Sequence, residues 1–180
     1  MVLKMKKKRL SFHVMREVAE IEELIDHLPD DNEVIKLISF GGFSSIGFIR
    51  FVADRAHIKK IFCSTLAVGK KHAIALDVMH NQGKLDRADI IVGKIMKEGN
   101  QEDRYGYFKS LSDICLKNKW KLIVKNNHSK IILFDTESGK FVLETSSNLN
   151  ENPNIEQFSF EKSEELYNFY STIFDELLKE

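Results

Sequence analysis

The chain has 180 residues, of which 43% are hydrophobic and 30% charged, and its formal net charge is zero. This length suits one compact domain with a hydrophobic core, and the ordinary composition excludes disordered and collagen-like chains. Zero net charge argues against a broad surface that coats nucleic acid, although a local basic cleft stays possible. No apolar run reaches the roughly 20 residues that cross a bilayer, so no membrane contact is expected.

Basic residues crowd the start of the chain, at Lys4, Lys6, Lys7, Lys8 and Arg9. Residues 1–10 are therefore predicted to form a basic arm, either a solvated terminus or a segment that touches nucleic-acid phosphates. Residues 11–180 are predicted to form a single domain. The opening lacks the apolar stretch and cleavage site of a secretion signal. Cys63 and Cys115 have apolar neighbours, which indicates two buried thiols and a cytoplasmic location by default.

Apolar periodicity alternates between strand-like and helix-like stretches, which is typical of an α/β fold. In chain order, the pattern predicts a helix over 18–28, a strand over 34–40, a helix over 45–56, a strand over 58–68, a helix over 70–81, a strand over 89–96 and a helix ending at 118. The last third contains predicted strands over 120–125, 130–135, 140–145 and 155–160, and a terminal helix from Ser163. This order predicts a mostly parallel sheet with helices on both faces and an antiparallel hairpin in its last third.

The residues that carry chemistry begin at His128, just before an apolar strand. His128 and Lys130 are two positions apart, so a strand would project the imidazole and the ammonium from the same face. A nucleophilic or acid/base histidine beside a fixed cation is what attack on a phosphodiester requires, because the cation stabilises charge on the non-bridging oxygens.

Three further polar residues follow the hairpin. Ser146 and Asn148 also share one strand face, and their hydroxyl and amide groups suit an anionic oxygen. The hairpin is expected to return them beside His128. Glu156 then supplies a carboxylate that can orient an imidazole through its second ring nitrogen.

The pattern His128-x-Lys130-x4-Asp135, then Ser146-x-Asn148, then Asn154-x-Glu156, resembles the signature of the phospholipase D superfamily. The block from Ser146 to Phe158 also resembles short superfamily members found in phages and mobile elements. The match covers residues 128–156, and the preceding sequence agrees only in its α/β pattern. One departure is Thr145, which stands where the family usually has glycine.

The resemblance implies metal-independent phosphodiester cleavage through a phosphohistidine, with no cofactor and no metal ion. It assigns the nucleophile to His128 and phosphate binding to Lys130, Ser146 and Asn148. It makes Glu156 the residue that orients the histidine and Asp135 a structural residue. The family's chemistry needs two histidines, whereas this chain has one motif. The resemblance therefore implies a homodimer in which two copies of His128 share one site.

Three functions stay open at the level of sequence. The first is a nuclease, specifically an endonuclease, which follows from the similarity to short single-motif members. A phospholipase or phosphatidyl-transferring enzyme would fit the same chemistry, although such members usually carry two motifs in a longer chain. A non-catalytic nucleic-acid-binding protein on the same fold is the third alternative.

Overall fold

The computed structural model describes residues 8–15, 21–98, 106–150 and 153–177. In these ranges the strands are β1 (Arg9–Met15), β2 (Glu33–Ser39), β3 (Ile58–Thr65), β4 (Ala88–Gly93), β5 (Leu122–Lys125), β6 (Ile131–Thr136), β7 (Gly139–Thr145) and β8 (Glu156–Lys162). The α-helices are α1 (Ser45–Ala53), α2 (Lys70–Asn81), α3 (Ile95–Glu98), α4 (Tyr107–Lys117) and α5 (Glu164–Leu177). No helix within these ranges is both long enough and apolar enough to span a bilayer.

The strands form one mixed sheet in the order β1-β2-β8-β7-β6-β3-β4-β5. The pairs β1/β2, β3/β4 and β4/β5 are parallel, whereas β2/β8, β8/β7, β7/β6 and β6/β3 are antiparallel. Six of these strands consequently run in one direction, and only β6 and β8 oppose them. This arrangement confirms the predicted α/β fold and the antiparallel hairpin, which β6 and β7 form. The sheet is mixed where a mostly parallel one was expected, because β6 and β8 are each inserted between strands of the opposite direction and make four of the seven neighbour pairs antiparallel.

Helices α1, α2 and α4 bury their apolar sides on one face of the sheet. Aromatic side chains fill this layer, and Phe48 and Phe51 of α1 are fully buried together with Phe134, Phe158 and Phe160 of the strands. The Phe48 and Phe160 rings lie 5.4 Å apart between centroids. Burying each such side chain stabilises the fold by roughly 1.5–3 kcal/mol, so this layer holds the strands in their order.

On the opposite face, α5 packs against β3, β4, β6 and β7. Leu166, Tyr167 and Phe174 of α5 meet the apolar residues Phe62, Ile91, Leu133 and Val142 of the strands. Hence helices lie on both faces, as predicted. However, α5 covers only part of this face, because its apolar cluster includes no residue of β1, β2 or β8.

The start of the chain differs from the sequence-based expectation. Residues 1–7 of the predicted arm lie outside the described residues, but Lys8 pairs with Glu161 at 2.7 Å and β1 begins at Arg9. Residues 8–10 of the predicted arm are therefore part of the folded sheet. The predicted helix over 18–28 is also wrong from Ile21 onward, where a single 3-10 turn over Ile21–Glu23 buries Ile21 and the chain then continues without helix.

Candidate active site

His128 lies in the loop that connects β5 to β6, and its side chain is exposed. The ammonium of Lys130 sits beside it, with Nζ 3.3 Å from His128 Nδ1 and 3.1 Å from the His128 carbonyl oxygen. The predicted pairing of imidazole and cation is thus present. Since a charged ammonium can only donate, Nδ1 acts as the acceptor in this contact.

The loop around His128 is held by Asn127, which the sequence analysis did not single out. Its Nδ2 donates to the Thr65 carbonyl oxygen and to Ser64 Oγ, both at 3.0 Å. Its Oδ1 accepts hydrogen bonds from the Ser129 backbone N–H at 3.0 Å and from Ser129 Oγ at 2.8 Å. One side chain therefore fixes the loop on both sides of His128 to the end of β3. Its position next to His128 was the only signal in the sequence.

Ser146 directly follows β7, and Glu156 opens β8. The Ser146 hydroxyl donates to Glu156 Oε2 and accepts a hydrogen bond from the Gln157 backbone N–H at 3.0 Å. Glu156 is buried and Ser146 is exposed. The carboxylate therefore binds the Ser146 hydroxyl from the protein interior, while Ser146 itself faces solvent. The structure thereby gives Glu156 a contact with Ser146, and its expected role in orienting His128 stays a prediction.

Asn148 points its carbonyl oxygen at the end of β3. Asn148 Oδ1 accepts hydrogen bonds from the Leu66 backbone N–H at 3.2 Å and from Thr65 Oγ1 at 3.4 Å. It therefore lies at the same edge of the sheet as the His128 loop, which Asn127 ties to Thr65. Asn148 is not among the residues that line the cleft described next, so the structure does not bring it onto the same wall as Ser146.

Some of these side chains line one cleft with a volume of about 710 Å³. Predicted residues on its walls are His128, Lys130 and Ser146. The remaining lining residues come mainly from strands β2, β6, β7 and β8 and were not predicted, namely Lys36, Ser129, Ile131, Glu144, Thr145, Gln157, Phe158 and Ser159. Finding them requires the strand order, because β2 and β8 are far apart in sequence yet adjacent in the sheet.

Asp135 lies away from the cleft. It is four residues beyond Ile131 along β6, which is about 13 Å at roughly 3.3 Å per strand residue. Its cross-strand neighbours are Lys60 on β3 and Lys140 on β7. Lys60 pairs with Asp89 at 2.9 Å and Lys140 with Glu164 at 3.6 Å, so the structural role expected of Asp135 stays a prediction.

Tyr170 of α5 contacts Glu144, one of the residues that line the cleft. Its hydroxyl donates to Glu144 Oε1, and burial together with this carboxylate raises the pKa of Tyr170 above its usual range. The tyrosine thus stays neutral and fixes Glu144 at the cleft wall. Within the described ranges, no cluster of three or more His, Cys, Asp or Glu side chains is placed to hold a metal ion.

The fold resembles those of several solved structures. No protein-family model and no curated protein matches the sequence. Polyphosphate kinase from Porphyromonas gingivalis is similar with a TM-score of 0.55 and 13% identity over 74% of this chain, and phosphatidylserine synthase from Haemophilus influenzae with a TM-score of 0.53 and 18% identity over 80%. TrmBL2, an archaeal chromatin protein, is similar with a TM-score of 0.51 and 16% identity over 88%.

These similarities define the fold. Polyphosphate kinase and phosphatidylserine synthase have folds of the phospholipase D superfamily, so the fold of this chain is phospholipase-D-like. The chain spans 23% of the polyphosphate kinase, 37% of the phosphatidylserine synthase and 56% of TrmBL2. It therefore corresponds to less than two thirds of each of these proteins.

Proposed function

We propose that the chain is a phosphoryl-transfer enzyme, specifically a metal-independent phosphodiesterase whose nucleophile is His128. The observation that carries this proposal is the placement of His128, Lys130 and Ser146 on the walls of one cleft. Those three groups supply a nucleophile, a cation and a hydroxyl donor for a phosphate. The phospholipase-D-like fold supports the same chemistry, since it is the fold that the motif at 128–156 implies.

In the proposed reaction, an imidazole nitrogen of His128 attacks phosphorus and the bond to the leaving oxygen breaks. The leaving oxygen takes a proton from a second histidine, and the first histidine keeps a covalent phosphoryl group. Water then attacks phosphorus, gives its proton to the second histidine and releases His128. Lys130 would turn from His128 Nδ1 toward the phosphate oxygens, which stabilises their charge and leaves Nδ1 able to carry a proton.

The second histidine would come from another copy of the chain. His128 is the one histidine that lines the cleft in the described part of the chain. Four others have partners elsewhere: His27 contacts Glu33 at 3.0 Å, His57 contacts Asp86 at 2.9 Å, His72 contacts Ser44 at 2.9 Å and His80 contacts the Leu85 carbonyl oxygen at 2.8 Å. A homodimer with His128 of both chains at one site supplies the general acid without any further residue. Proton donation by a positioned acid contributes roughly 10²–10⁴-fold.

Nucleic acid is the substrate class that we propose. Lys130 and Lys36 place two cations in the cleft, where they would meet the phosphates on either side of the scissile bond. TrmBL2 is a chromatin protein that binds DNA, and a similar fold in a DNA-binding protein supports nucleic acid as a ligand here. Phosphatidylserine synthase is a lipid enzyme by name, so lipid substrates belong in the same test.

The test compares four substrates in excess chelator: plasmid DNA, RNA, bis(p-nitrophenyl) phosphate and phosphatidylcholine vesicles. His128→Ala should abolish hydrolysis, whereas the matched control His57→Ala should retain it. His57 suits this purpose because it precedes β3 at the end opposite the site and contacts Asp86. Hydrolysis that requires a divalent ion, or that survives His128→Ala, would contradict the proposal. Hydrolysis of vesicles without cleavage of nucleic acid would make lipid the substrate class in place of nucleic acid. Binding of DNA or RNA without hydrolysis of any substrate would indicate a non-catalytic nucleic-acid-binding protein.

A further inference from the structure

On the sheet face that α5 covers, the apolar cluster of α5 includes no described residue of β1 or β2, and most apolar side chains of these two strands on that face are exposed. Apolar side chains of these strands point out of this open half, and we call Leu10, Phe12, Val14 and Ile38 the open stripe. Phe12 is 73% exposed, although it belongs to an ordered strand. Contiguous exposed apolar residues on a sheet mark an interaction surface more often than isolated ones do.

The open stripe continues into the catalytic cleft. Strand pairing places Phe12 beside Lys36, Lys36 beside Ser159 and Ser159 beside Glu144. The last three of these residues line the cleft. A second row runs from Val14 through Ile38 to Gln157, which also lines the cleft. Neighbouring strands lie about 4.8 Å apart, so Phe12 is only one strand away from the cleft wall.

We infer that the open stripe is the surface on which a second copy of this chain docks. This inference rests on the proposed function, in which one cleft uses His128 of both chains. A partner that covers the stripe also lies over the adjoining cleft, where its own His128 can enter the site. The same patch serves both chains in a two-fold pair, because each stripe adjoins its own cleft.

The chemistry of the stripe favours a protein partner over nucleic acid. Three of its four members are aliphatic, and the two lysines beside it in the described residues both have partners, with Lys8 Nζ 2.7 Å from Glu161 Oε2 and Lys36 Nζ donating to Ser159 Oγ at 2.6 Å. The four apolar side chains offer no charge to phosphates and suit a matching apolar patch on a second copy. A stable interface buries roughly 800 Å² on each partner, more than four side chains provide, so the contact must extend over the cleft rim.

The decisive experiment measures molar mass by light scattering and sedimentation for the wild type, Phe12→Glu and the control Leu116→Glu. Leu116 lies on α4 and is 81% exposed, so both variants place a charge at an exposed apolar position. The wild type and Leu116→Glu should be dimers. Phe12→Glu should remain a monomer up to a concentration at least tenfold above that at which the wild type dimerises. A Phe12→Glu protein that dimerises like the wild type, or a wild type that is always monomeric, would overturn the inference.

Two further readouts separate this inference from the proposed function. Mass does not depend on turnover, so a monomeric Phe12→Glu supports the surface even if no substrate is hydrolysed. Phe12→Cys should form a disulfide-linked dimer on oxidation, while Leu116→Cys should not. The native Cys63 and Cys115 are buried and will not interfere, and burial raises the pKa of Cys115 to about 12. If Phe12→Glu weakens oligonucleotide binding but leaves the mass unchanged, the stripe is instead a nucleic-acid surface.

Discussion

Replacing Asn127 with alanine is predicted to lower both activity and stability, because this side chain fixes the loop that carries His128. The substitution removes donors to the Thr65 carbonyl oxygen and Ser64 Oγ and acceptors for Ser129. A net hydrogen bond contributes about 0.5–1.5 kcal/mol, and exposed Ser129 can bond water instead. The loss is therefore about 1–3 kcal/mol, which in a chain of this size lowers Tm by roughly 2–10 °C.

The effect of Asn127→Ala on catalysis should exceed its effect on stability. A displacement of about 1 Å in a catalytic group can cost roughly 100-fold in rate, and the contact of Ser129 Oγ with Ser64 Oγ at 2.6 Å that would remain holds the loop on one side of His128 only. Asn127→Asp keeps the acceptor for Ser129 but cannot donate to Thr65, so its activity should be intermediate. Asn118→Ala is the matched control, because this substitution also removes an amide donor, which binds Asp77 at 2.7 Å. Asn118 lies at the end of α4, on the opposite face of the sheet from the cleft.

The assay follows kcat/KM on bis(p-nitrophenyl) phosphate at a temperature well below each variant's Tm. Asn127→Ala should be at least about tenfold less active, and Asn118→Ala should match the wild type. If Asn127→Ala loses Tm yet keeps wild-type kcat/KM, the side chain supports the fold without positioning His128. That result would refute the positioning role.

Two other predictions concern the buried carboxylate of Glu156 and the imidazole of His27. Glu156→Gln should lower kcat/KM about 5–13-fold, because the charge-assisted hydrogen bond from Ser146, about 1.5–3 kcal/mol, becomes a neutral one of about 0.5–1.5 kcal/mol, a loss of about 1–1.5 kcal/mol. An unchanged kcat/KM would contradict this role of Glu156. Hydrogen bonds to Asp26 and then Glu33 raise the pKa of His27 above its usual range, so its stabilising effect is fully present below about pH 6.5 and is lost as pH rises through the folded-state pKa. The Tm of the wild type minus that of His27→Gln should accordingly shrink between pH 6 and pH 8, and a difference that grows with pH would oppose this reading.

Local sequence patterns predicted most of the elements, and the reasons are visible at particular positions. The helix over 70–81 coincides with α2, and the strands around Gly139 form the predicted hairpin. These elements have strong local signals, namely apolar periodicity and turn residues. The early helix failed because Ile21 and Ile25, although at helical spacing, are buried by tertiary packing around a 3-10 turn.

The candidate site was only partly predictable. His128, Lys130 and Ser146 could be grouped because their motif spacing is local and the hairpin joins them. The contact between Lys36 and Ser159 could not, since it depends on β2 lying beside β8. Strand β1 could not be predicted either. Its apolar residues Leu10, Phe12 and Val14 alternate with polar ones and point outward, so the sequence shows no pattern of a core strand.

Trapping the covalent intermediate tests the central claim most directly. The protein is mixed with bis(p-nitrophenyl) phosphate, quenched within one turnover, digested and examined by mass spectrometry under conditions that preserve phosphohistidine. We predict a p-nitrophenyl phosphoryl group on the peptide that contains His128, formed with release of one p-nitrophenol and absent in His128→Ala. Turnover of the substrate without any adduct on His128, or an adduct on a different residue, would contradict the assignment.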